Sequence, residues 1–411
     1  MDSTLEQLRT LAIQADDAGR HKVLDFIRDL QLRLETPHDT LSRFSGMHLE
    51  ITAARIAEDL GIFQILGDSG EHISVADIAA KTNAAPLLLS RILRYMASVG
   101  MVHETSVNTF SANAITRTLA QPGYRGGIYH FFDNVGPVMN AFPAFLAETK
   151  YRDVNDAAKT AFQKAFPTDL PAFMWLPTQP ERFGPLQQVM TVQGAAGTPW
   201  FSVFPFQKEL STFEGQHVLV DVGGSFGHQC AALLAAFPEL RGKLVLQELP
   251  QTLAQLPPQL DGVGLVAQDF FQAQQVREAR FYYLRNVLHD WPDEKCIVIL
   301  EHLVAALGPL SQILIDEMVL PDTGVPWEAA AIDLTMMASL GSRERTVKEC
   351  LMARRLSKGL FSLIESHCAL VCIYGFPQLR HATVLCQYMR YNEFHEVEHV
   401  NDGMVSPFAS V

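Results

Sequence analysis

The sequence is poor in charged residues and has no long apolar run. Charged residues make up 19% of the 411 residues, and the formal net charge is −13. Nucleic-acid binding needs clustered Lys and Arg against the phosphates, so this composition argues against nucleic acid and favours a small-molecule partner. No apolar run approaches the roughly 18 residues that a membrane-spanning helix needs, so we expect no membrane partner.

Cysteine motifs and a targeting signal are also missing. The six cysteines show no CxxC spacing, and the first residues, MDSTLEQLRT, lack the basic and then apolar plan of a signal peptide. Both absences favour a reduced protein. We therefore predict a cytoplasmic protein, and its length predicts two domains with separate cores.

The first 120 residues have a helical pattern. Apolar residues recur at helical spacing over residues 1–36. The segment ISVADIAAKTNAAPLLLSRILRYMASVGMVHETSVNTFSAN then predicts a short helix, a turn, a second helix from near Pro86 and a hairpin, the outline of a winged helix. The second helix offers mainly Arg91 and Arg94, and a DNA groove reader also needs supporting phosphate contacts. We therefore predict a packing or dimerisation role for this region.

From residue 217, short apolar runs alternate with helical segments, as in a parallel sheet built from crossover units. The runs are HVLVDVGG, KLVLQEL, GLVAQDFF, ARFYYLRNV, QILIDEMVL, HCALVCIYG and ATVLCQYM. The last two are nearly adjacent, which predicts a closing hairpin. The sequence thus predicts an α/β fold with a Rossmann-like, doubly wound sheet, whose ligands bind beyond the carboxyl ends of the strands.

These patterns divide the chain into four regions. We predict a helical, winged-helix-like domain at 1–120, a helical connector at 121–210, the sheet domain at 211–390 and a C-terminal tail at 391–411. The connector is rich in Pro and aromatic residues, as in FPTDLPAFMWLP. Aromatic residues at helical spacing indicate core packing, although such a segment can also line a pocket between domains.

The segment VLVDVGGSFGHQC predicts a strand, a glycine turn and a helix, so that backbone amides near Gly223, Gly224 and Gly227 face a ligand. The dinucleotide pattern GxGxxG is absent, because Val222 stands two residues before Gly224. Asp221 would repel a pyrophosphate and attract a cation. S-Adenosylmethionine (SAM) carries an ammonium and a sulfonium, so this turn suits it; the alternative is a structural turn with an incidental Asp.

Two further acids end the next predicted strands. Glu248 lies 21 residues after Gly227, a spacing at which a carboxylate can accept from both hydroxyls of a ribose. Asp269 could accept from an adenine amino group while Phe270 packs on the ring. Three successive strand ends that carry carboxylates favour a ligand that contains a nucleoside.

The motifs DVGGSFG, QELP, QDFF, YYLRNVLHDWPDE, IDEMVLP and SRERTVKE follow one another in an order that resembles a known family. This family is the class I SAM-dependent O-methyltransferases of the caffeate/hydroxyneurosporene type, particularly the members from fungal secondary metabolism. The resemblance covers roughly residues 45–390, and LRNVLHDWPDE is its most specific part. It implies SAM as the cofactor, a SAM-binding sheet domain, and a homodimer formed through the N-terminal domain.

The resemblance also implies roles for single residues. His289 matches the general base that removes the proton of the acceptor hydroxyl, and imidazole titrates in a suitable range. Glu317 and Glu344 match the acids that flank and orient this histidine. The remaining matches are cofactor positions: Gly223, Gly224, Glu248, Asp269, Phe270 and Arg285.

Local spacing adds three expectations near His289. Arg285 precedes it by four residues, so both face one cleft if the strand gives way to a helix there. We expect Asp290 to cap the next helix and Pro292 to lie in its first turn.

The predicted activity is methyl transfer from SAM to a hydroxyl of a small aromatic or polyketide-type secondary metabolite. The alternative is a pericyclase or dehydratase on the same fold that binds SAM without consuming its methyl group. His130 could serve that chemistry as an acid or base, or it could be a core histidine. The family resemblance implies an acceptor pocket that contains Met190, Trp200, Met336 and Met337, and His130 is a further candidate for it. Core packing is the alternative for at least one of the two adjacent methionines.

A metal site is the remaining candidate. HEVEH at 395–399 satisfies the H-E-x-x-H zinc pattern, but it lies in a polar tail without an apolar helical frame or an evident third ligand. We therefore predict no metal.

Overall fold

The computed structural model describes residues 2–195, 199–211, 213–256, 260–353, 368–371 and 386–387, and all structural statements refer to these residues. The α-helices are α1 Asp2–Gln14, α2 Asp17–Leu34, α3 Pro37–Asp59, α4 Ile62–Ser69, α5 Val75–Thr82, α6 Pro86–Ser98, α7 Ala114–Leu119, α8 Pro122–Tyr129, α9 Gly136–Glu148, α10 Ala161–Ala165, α11 Ala172–Trp175, α12 Pro180–Ala195, α13 Trp200–Val203, α14 Phe206–Leu210, α15 His228–Ala236, α16 Pro250–Leu253, α17 Asp293–Val304, α18 Trp327–Leu340 and α19 Val347–Ala353.

The strands are β1 Ile73–Ser74, β2 His103–Ser106, β3 Thr109–Ser111, β4 Leu219–Val222, β5 Leu244–Glu248, β6 Val263–Ala267, β7 Phe281–Arg285, β8 Gln312–Asp316, β9 Val319–Leu320, β10 Arg345–Thr346, β11 Cys368–Val371 and β12 Cys386–Gln387. A π-helix at His130–Val135 continues α8 into α9. None of the described helices combines the length and the apolarity that a membrane crossing requires.

The N-terminal region contains the predicted helix–turn–helix and hairpin. The side chain of Ser74 caps α5, whose C-cap Asn83 adopts a left-handed conformation, and α6 begins at Pro86. β1, β3 and β2 form a small antiparallel sheet beside these helices. A core of α3, α4, α5 and α6 residues, including Phe63 and Leu93, holds the unit together. The winged-helix-like outline is therefore confirmed.

The main sheet has the strand order β12-β11-β8-β7-β4-β5-β6 within the described residues. All neighbouring pairs are parallel except β11 and β12, which pair antiparallel through Leu370 and Gln387. The predicted doubly wound sheet and its closing hairpin are confirmed.

Alternation along β7 shows how the sheet acquires a core on each face. Tyr282 and Leu284 pack with α17, whereas Phe281 and Tyr283 pack with α13, α14 and α15. Because β4, β5, β7 and β8 are parallel, their carboxyl ends lie along one edge of the sheet. That edge carries the residues of the candidate site.

Candidate active site

His289 lies in the connection that follows β7. The strand ends at Arg285, Asn286 has a left-handed φ of 50°, and Leu288–Asp290 form a short 3-10 helix. Asn adopts this conformation more readily than most residues, because its short polar side chain bonds locally. The strand does not pass directly into a helix. The expectation that helical spacing brings Arg285 and His289 to one face is therefore wrong.

The expected cap of the next helix is also wrong. α17 begins at Asp293, and Pro292 is its N-cap rather than part of its first turn. Asp290 lies beside His289 instead, with its Oδ1 3.4 Å from Nε2 of the imidazole. The 3-10 turn keeps Asp290 next to the ring, so this carboxylate belongs to the site.

Two glutamates from distant segments complete the His289 cluster. Oε1 of Glu344 lies 2.7 Å from Nδ1 of His289. Glu317 follows β8, and its Oε1 accepts hydrogen bonds from the backbone amides of Val287 and Leu288 at 3.1 and 2.8 Å. Glu344 thus holds the ring, whereas Glu317 holds the backbone that carries it.

The electrostatics of this cluster favour a charged imidazole. Burial disfavours protonation of His289, but Asp290, Glu344 and Glu317 outweigh it and raise the histidine pKa to about 10. Burial raises the pKa of Glu317 to about 7 and that of Asp290 to about 6, and the charge on His289 opposes both shifts. Without an acceptor, the ring is therefore an imidazolium clamped between two carboxylates at neutral pH.

The glycine turn after β4 is tightly constrained. Gly223 and Gly227 have φ values of 69° and 72°, which glycine adopts without a steric cost. A Cβ on Gly224 would lie 2.4 Å from Cγ of Asp221, so this position requires glycine for space. Ser225 has a φ of 52°. It thus adopts a left-handed conformation that costs a serine more than a glycine.

Asp221 lies under this turn and is fully buried. Cys230 donates a weak thiol hydrogen bond to its Oδ2 at 3.6 Å. Burial raises the pKa of Asp221 to about 7, against the lowering effects of Cys230 and of the Arg285 charge. A cation on a bound ligand would therefore stabilise the ionised form of this carboxylate.

Glu248 and the loop after β6 flank the turn. Oε2 of Glu248 accepts from the amide of Ser225 at 3.2 Å. A Cβ on Gly223 would lie 3.3 Å from Cε1 of Phe270, so the ring covers the turn. Oδ1 of the exposed Asp269 accepts from the amide of Phe271 at 2.9 Å. Glu248 and Phe270 therefore contact the turn, and Asp269 precedes Phe270 in the same loop.

A buried amide pair joins that loop to the sheet. Gln247 and Gln274 exchange hydrogen bonds of 2.6 and 2.8 Å through their side chains. Gln268 bonds within the same loop, to the carbonyls of Asp269 and Ala273. Sequence reasoning missed this pair, because a glutamine in a loop gives no signal of its partner.

Arg285 has a partner that the sequence analysis also missed. Its Nη1 lies 3.5 Å from Oδ2 of Asp316 at the end of β8, and Tyr283 donates its hydroxyl to the same oxygen. Burial raises the pKa of Asp316 to about 6, opposed by Arg285. The available signal was position, since Asp316 directly precedes Glu317 in IDEMVLP.

His130 opens the π-helix between α8 and α9. Asn134 donates to its Nδ1 at 3.0 Å, and Asn134 is itself held by the backbone carbonyl of Arg182. Burial lowers the pKa of His130 to about 4, so the ring is neutral at pH 7 and carries its proton on Nε2. π-Helical segments occur frequently at functional sites.

The other predicted pocket residues have different environments. Trp200 is fully buried and stacks on Tyr283 with ring centroids 4.7 Å apart, so it packs in the sheet core instead of forming a pocket wall. Met190 is 41% exposed on α12. Met336 and Met337 are half-buried on α18, and Met336 packs against the core that joins α9, α10 and α12.

The HEVEH motif lies outside the described residues. Among the described residues, the donor atoms of His289, Glu317 and Glu344 all lie within 4.8 Å of one another and could hold a cation. The contact between His289 and Glu344 is already an ion-pair hydrogen bond of 2.7 Å, which a cation at this position would have to displace.

The chain matches two protein-family models and is similar to curated enzymes over most of its length. A family model described as an O-methyltransferase domain matches residues 205–355, and an O-methyltransferase dimerisation domain matches residues 43–122. The demethylsterigmatocystin 6-O-methyltransferase of Aspergillus flavus is 41% identical over 351 residues, which cover 85% of this chain and 90% of the relative. The chain belongs to the O-methyltransferase family. Its cofactor is the SAM of that family.

Solved structures agree with this membership. LepI in complex with SAM has a TM-score of 0.81 and 38% identity, covering 86% of this chain and 92% of LepI. A structure described as a pericyclic reaction enzyme matches with the same values. OxaC in complex with S-adenosylhomocysteine and oxaline, at 22% identity and a TM-score of 0.77, shares the fold.

Proposed function

We propose that this O-methyltransferase transfers a methyl group from SAM to a hydroxyl of a small aromatic or polyketide-type secondary metabolite, with His289 as the general base. The contact that carries the proposal is the 2.7 Å hydrogen bond between Nδ1 of His289 and Glu344. It fixes the ring so that Nε2 is the nitrogen available to an acceptor. The acceptor class is supported by the similarity to fungal enzymes such as the demethylsterigmatocystin 6-O-methyltransferase.

The residues at the sheet edge fit the cofactor. Bound SAM supplies a methyl group on a positively charged sulfur, and the acceptor oxygen gains this methyl group as the carbon–sulfur bond breaks. Asp221 is a buried carboxylate without a full cationic partner, which suits the ammonium of the ligand. Glu248 and Asp269 would accept from the ribose and the adenine, and Phe270 would cover the ring. Arg285, held by Asp316, would face the anionic end of the ligand.

Proton transfer follows from the charge around His289. An ordinary phenol has a pKa of about 10, similar to the value of about 10 for His289. Only the neutral imidazole can accept the proton, which leaves the oxygen as the new carbon–oxygen bond forms. The acceptor would displace Asp290 from Nε2, and the sulfonium charge nearby would favour loss of the proton already on the ring.

The test uses methyl-labelled SAM and extracts of a culture that makes aromatic metabolites. A product 14 Da heavier, formed in step with S-adenosylhomocysteine, is the expected result. His289→Asn should abolish product formation and leave SAM affinity near wild type, whereas His103→Asn, on an exposed strand, should change neither. Unchanged turnover in His289→Asn would contradict the base assignment.

The alternative function is a pericyclization or dehydration in which SAM is bound but not consumed. It is supported by the similarity to the structure described as a pericyclic reaction enzyme. The buried, neutral His130, with a proton on Nε2, could donate to such a substrate. A substrate that rearranges or loses water while S-adenosylhomocysteine stays absent would favour this reading over methyl transfer.

We further propose a homodimer, with dimerisation through the N-terminal region, because the dimerisation model matches residues 43–122. The four-region division of the chain, the small-molecule partner without nucleic acid or membrane, and the cytoplasmic location stay predictions from the sequence.

A further inference from the structure

Arg345 is the residue after Glu344, and its guanidinium is buried. Only 7% of its side chain is exposed. It donates from Nη1 to the carbonyl of Leu288 at 3.0 Å and from Nη2 to the carbonyl of Trp291 at 2.9 Å. These two carbonyls lie immediately before His289 and one residue after Asp290. The guanidinium therefore grips both ends of the turn that carries the imidazole.

Asp293 fixes the guanidinium in turn. Its Oδ1 accepts from Nε of Arg345 at 3.0 Å and from Nη2 at 2.7 Å. Asp293 is the first residue of α17, where a carboxylate is favoured by the helix dipole. Arg345 thus links the first residue of α17 to the turn at residues 288–291.

The backbone of Arg345 also connects these side-chain contacts to the segments that carry Glu317 and Glu344. β10 pairs in parallel with β9, with Arg345 opposite Val319. This ladder sets the segment of Glu344 beside the segment of Glu317, only two residues before Val319. One residue therefore connects the turn of His289 with both acids that contact that turn.

We propose that Arg345 is a positioning residue for His289: it fixes the turn at residues 288–291 against Glu344, so that the imidazole keeps its hydrogen bond and its direction. The proposal rests on the proposed role of His289 for its catalytic meaning. The contacts that carry it do not depend on that role.

Arg343 offers a matched control on the same carboxylate. It donates to Oδ2 of Asp293 at 2.8 Å and also pairs with Glu349, but it is 46% exposed and makes no described contact with the turn. The two arginines share Asp293 and differ in their grip on the turn. Arg345→Lys and Arg343→Lys each keep the charge and remove the fork of donors.

The test measures the pKa and tautomer of His289 directly, by long-range 1H–15N correlation in histidine-labelled protein, together with kcat and KM. His289→Asn identifies the signal. In Arg345→Lys, the pKa of His289 should fall from about 10 towards its ordinary value. We expect kcat to fall roughly 10- to 100-fold, as misplacement of a catalytic group implies, with KM for SAM within about threefold of wild type. Arg343→Lys should match wild type in all four quantities.

Asp293→Asn provides a second variant if Arg345→Lys does not fold. It leaves both carbonyl contacts of Arg345 in place and weakens the ion pairs of Asp293 with Arg345 and Arg343. We therefore expect a change in the same direction as in Arg345→Lys, but smaller. A His289 pKa that stays at the wild-type value in a folded Arg345→Lys or Asp293→Asn protein would overturn the proposal. Equal losses in kcat and in SAM affinity, with an unmoved pKa, would also overturn it, because they indicate a general packing defect.

The two proposals fail in different ways. If His289→Asn keeps full turnover, the base assignment is wrong, yet a shifted His289 signal in Arg345→Lys still supports the positioning role. If His289→Asn is inactive and the signal in Arg345→Lys does not move, the base assignment stands and Arg345 does not position it.

Discussion

The glycine turn after β4 and the cluster around His289 lie on the same edge of the sheet, but they are built in different ways. In the turn, the tightest approach joins the near neighbours Asp221 and Gly224, and left-handed backbone at Gly223 and Gly227 sets its shape, although Leu246 and Glu248 also contact it. In the cluster, His289 and Glu344 are 55 positions apart, and Leu288 and Glu317 are 29 apart. The first region depends on local backbone geometry, whereas the second depends on correct packing of distant segments.

Their electrostatics differ as well. Burial leaves Asp221 without a full counter-charge and raises its pKa to about 7. The carboxylates around His289 have an imidazolium as their counter-charge. A cation on a bound ligand would therefore neutralise the carboxylate in the turn, whereas the carboxylates of the cluster already have the imidazolium as a counter-charge.

The largest effect should come from Gly224→Ala, which attacks the local geometry. The new Cβ would lie 2.4 Å from Cγ of Asp221 and 2.6 Å from Cδ1 of Leu246. Overpacking of this kind costs about 1–3 kcal/mol of unfolding free energy, and the displaced turn should lose SAM binding. Calorimetric titration and thermal unfolding measure both effects. Gly184→Ala is the control, since its Cβ meets nothing within 4 Å; wild-type affinity in Gly224→Ala would refute the close-approach argument.

Glu344→Gln tests the long-range cluster. Removal of this charge lowers the pKa of His289, so the midpoint of the pH–rate profile should move to lower pH. The amide also fails to fix the tautomer, and we expect kcat to fall roughly 100-fold, within the usual range for general base catalysis. Glu301→Gln, on the exposed face of α17, is the control. A profile that keeps its wild-type midpoint would show that Glu344 does not set the charge of the ring.

The uncompensated charge of Asp221 predicts a pH dependence of cofactor affinity. Its pKa in the folded protein is about 7 against an ordinary value of 3.8, so protonation stabilises the fold below about pH 4. That stabilisation is lost as the pH rises through about 7. A cationic ligand binds the ionised form, so SAM affinity should rise with pH up to about 7, by at most about tenfold per unit, and then level off.

Titrations between about pH 5.5 and 8 measure this effect in wild type and in Asp221→Asn, which should bind more weakly and without the pH dependence. An affinity that is flat with pH in wild type would mean that another group meets the ammonium.

The smallest effect should come from the amide pair that holds the loop of Asp269 and Phe270. Gln274→Leu removes both hydrogen bonds to Gln247. The buried amide of Gln247 is then left unpaired, which costs about 1–3 kcal/mol of unfolding free energy. Because the loosened loop carries Asp269 and Phe270, we expect SAM affinity to fall about fivefold, with kcat unchanged at saturation. Gln272→Leu, an exposed change in the same loop, should have no effect. Equal SAM affinities in the two variants would show that the amide pair does not support cofactor binding.

Much of the fold follows from local patterns that any reader of the sequence can use. The alternation of buried runs and helices predicts the doubly wound sheet, and Ser74, Asn83 and Pro86 mark the helix boundaries in the N-terminal region. The errors arose where rules for helical spacing and helix capping were applied to residues that do not form an α-helix. The left-handed Asn286 and the 3-10 turn placed Asp290 at the imidazole instead of at a helix end.

Trp200 illustrates the other source of error. An aromatic residue in a connector is consistent with a pocket wall or with a core, and only the packing of Tyr283 and its neighbours shows that it is core. Likewise, nothing in the string SRERT says that Arg345 reaches the carbonyls of Leu288 and Trp291.

The sequence by itself determined which functional groups stand at the ends of successive strands, because glycine geometry, strand alternation and charge at the strand ends are properties of neighbouring residues. The tertiary structure decided which distant groups meet at His289, since long-range contacts depend on how whole segments pack. It also decided their protonation, because burial and the charges of Asp290, Glu317 and Glu344 exist together only in the folded chain.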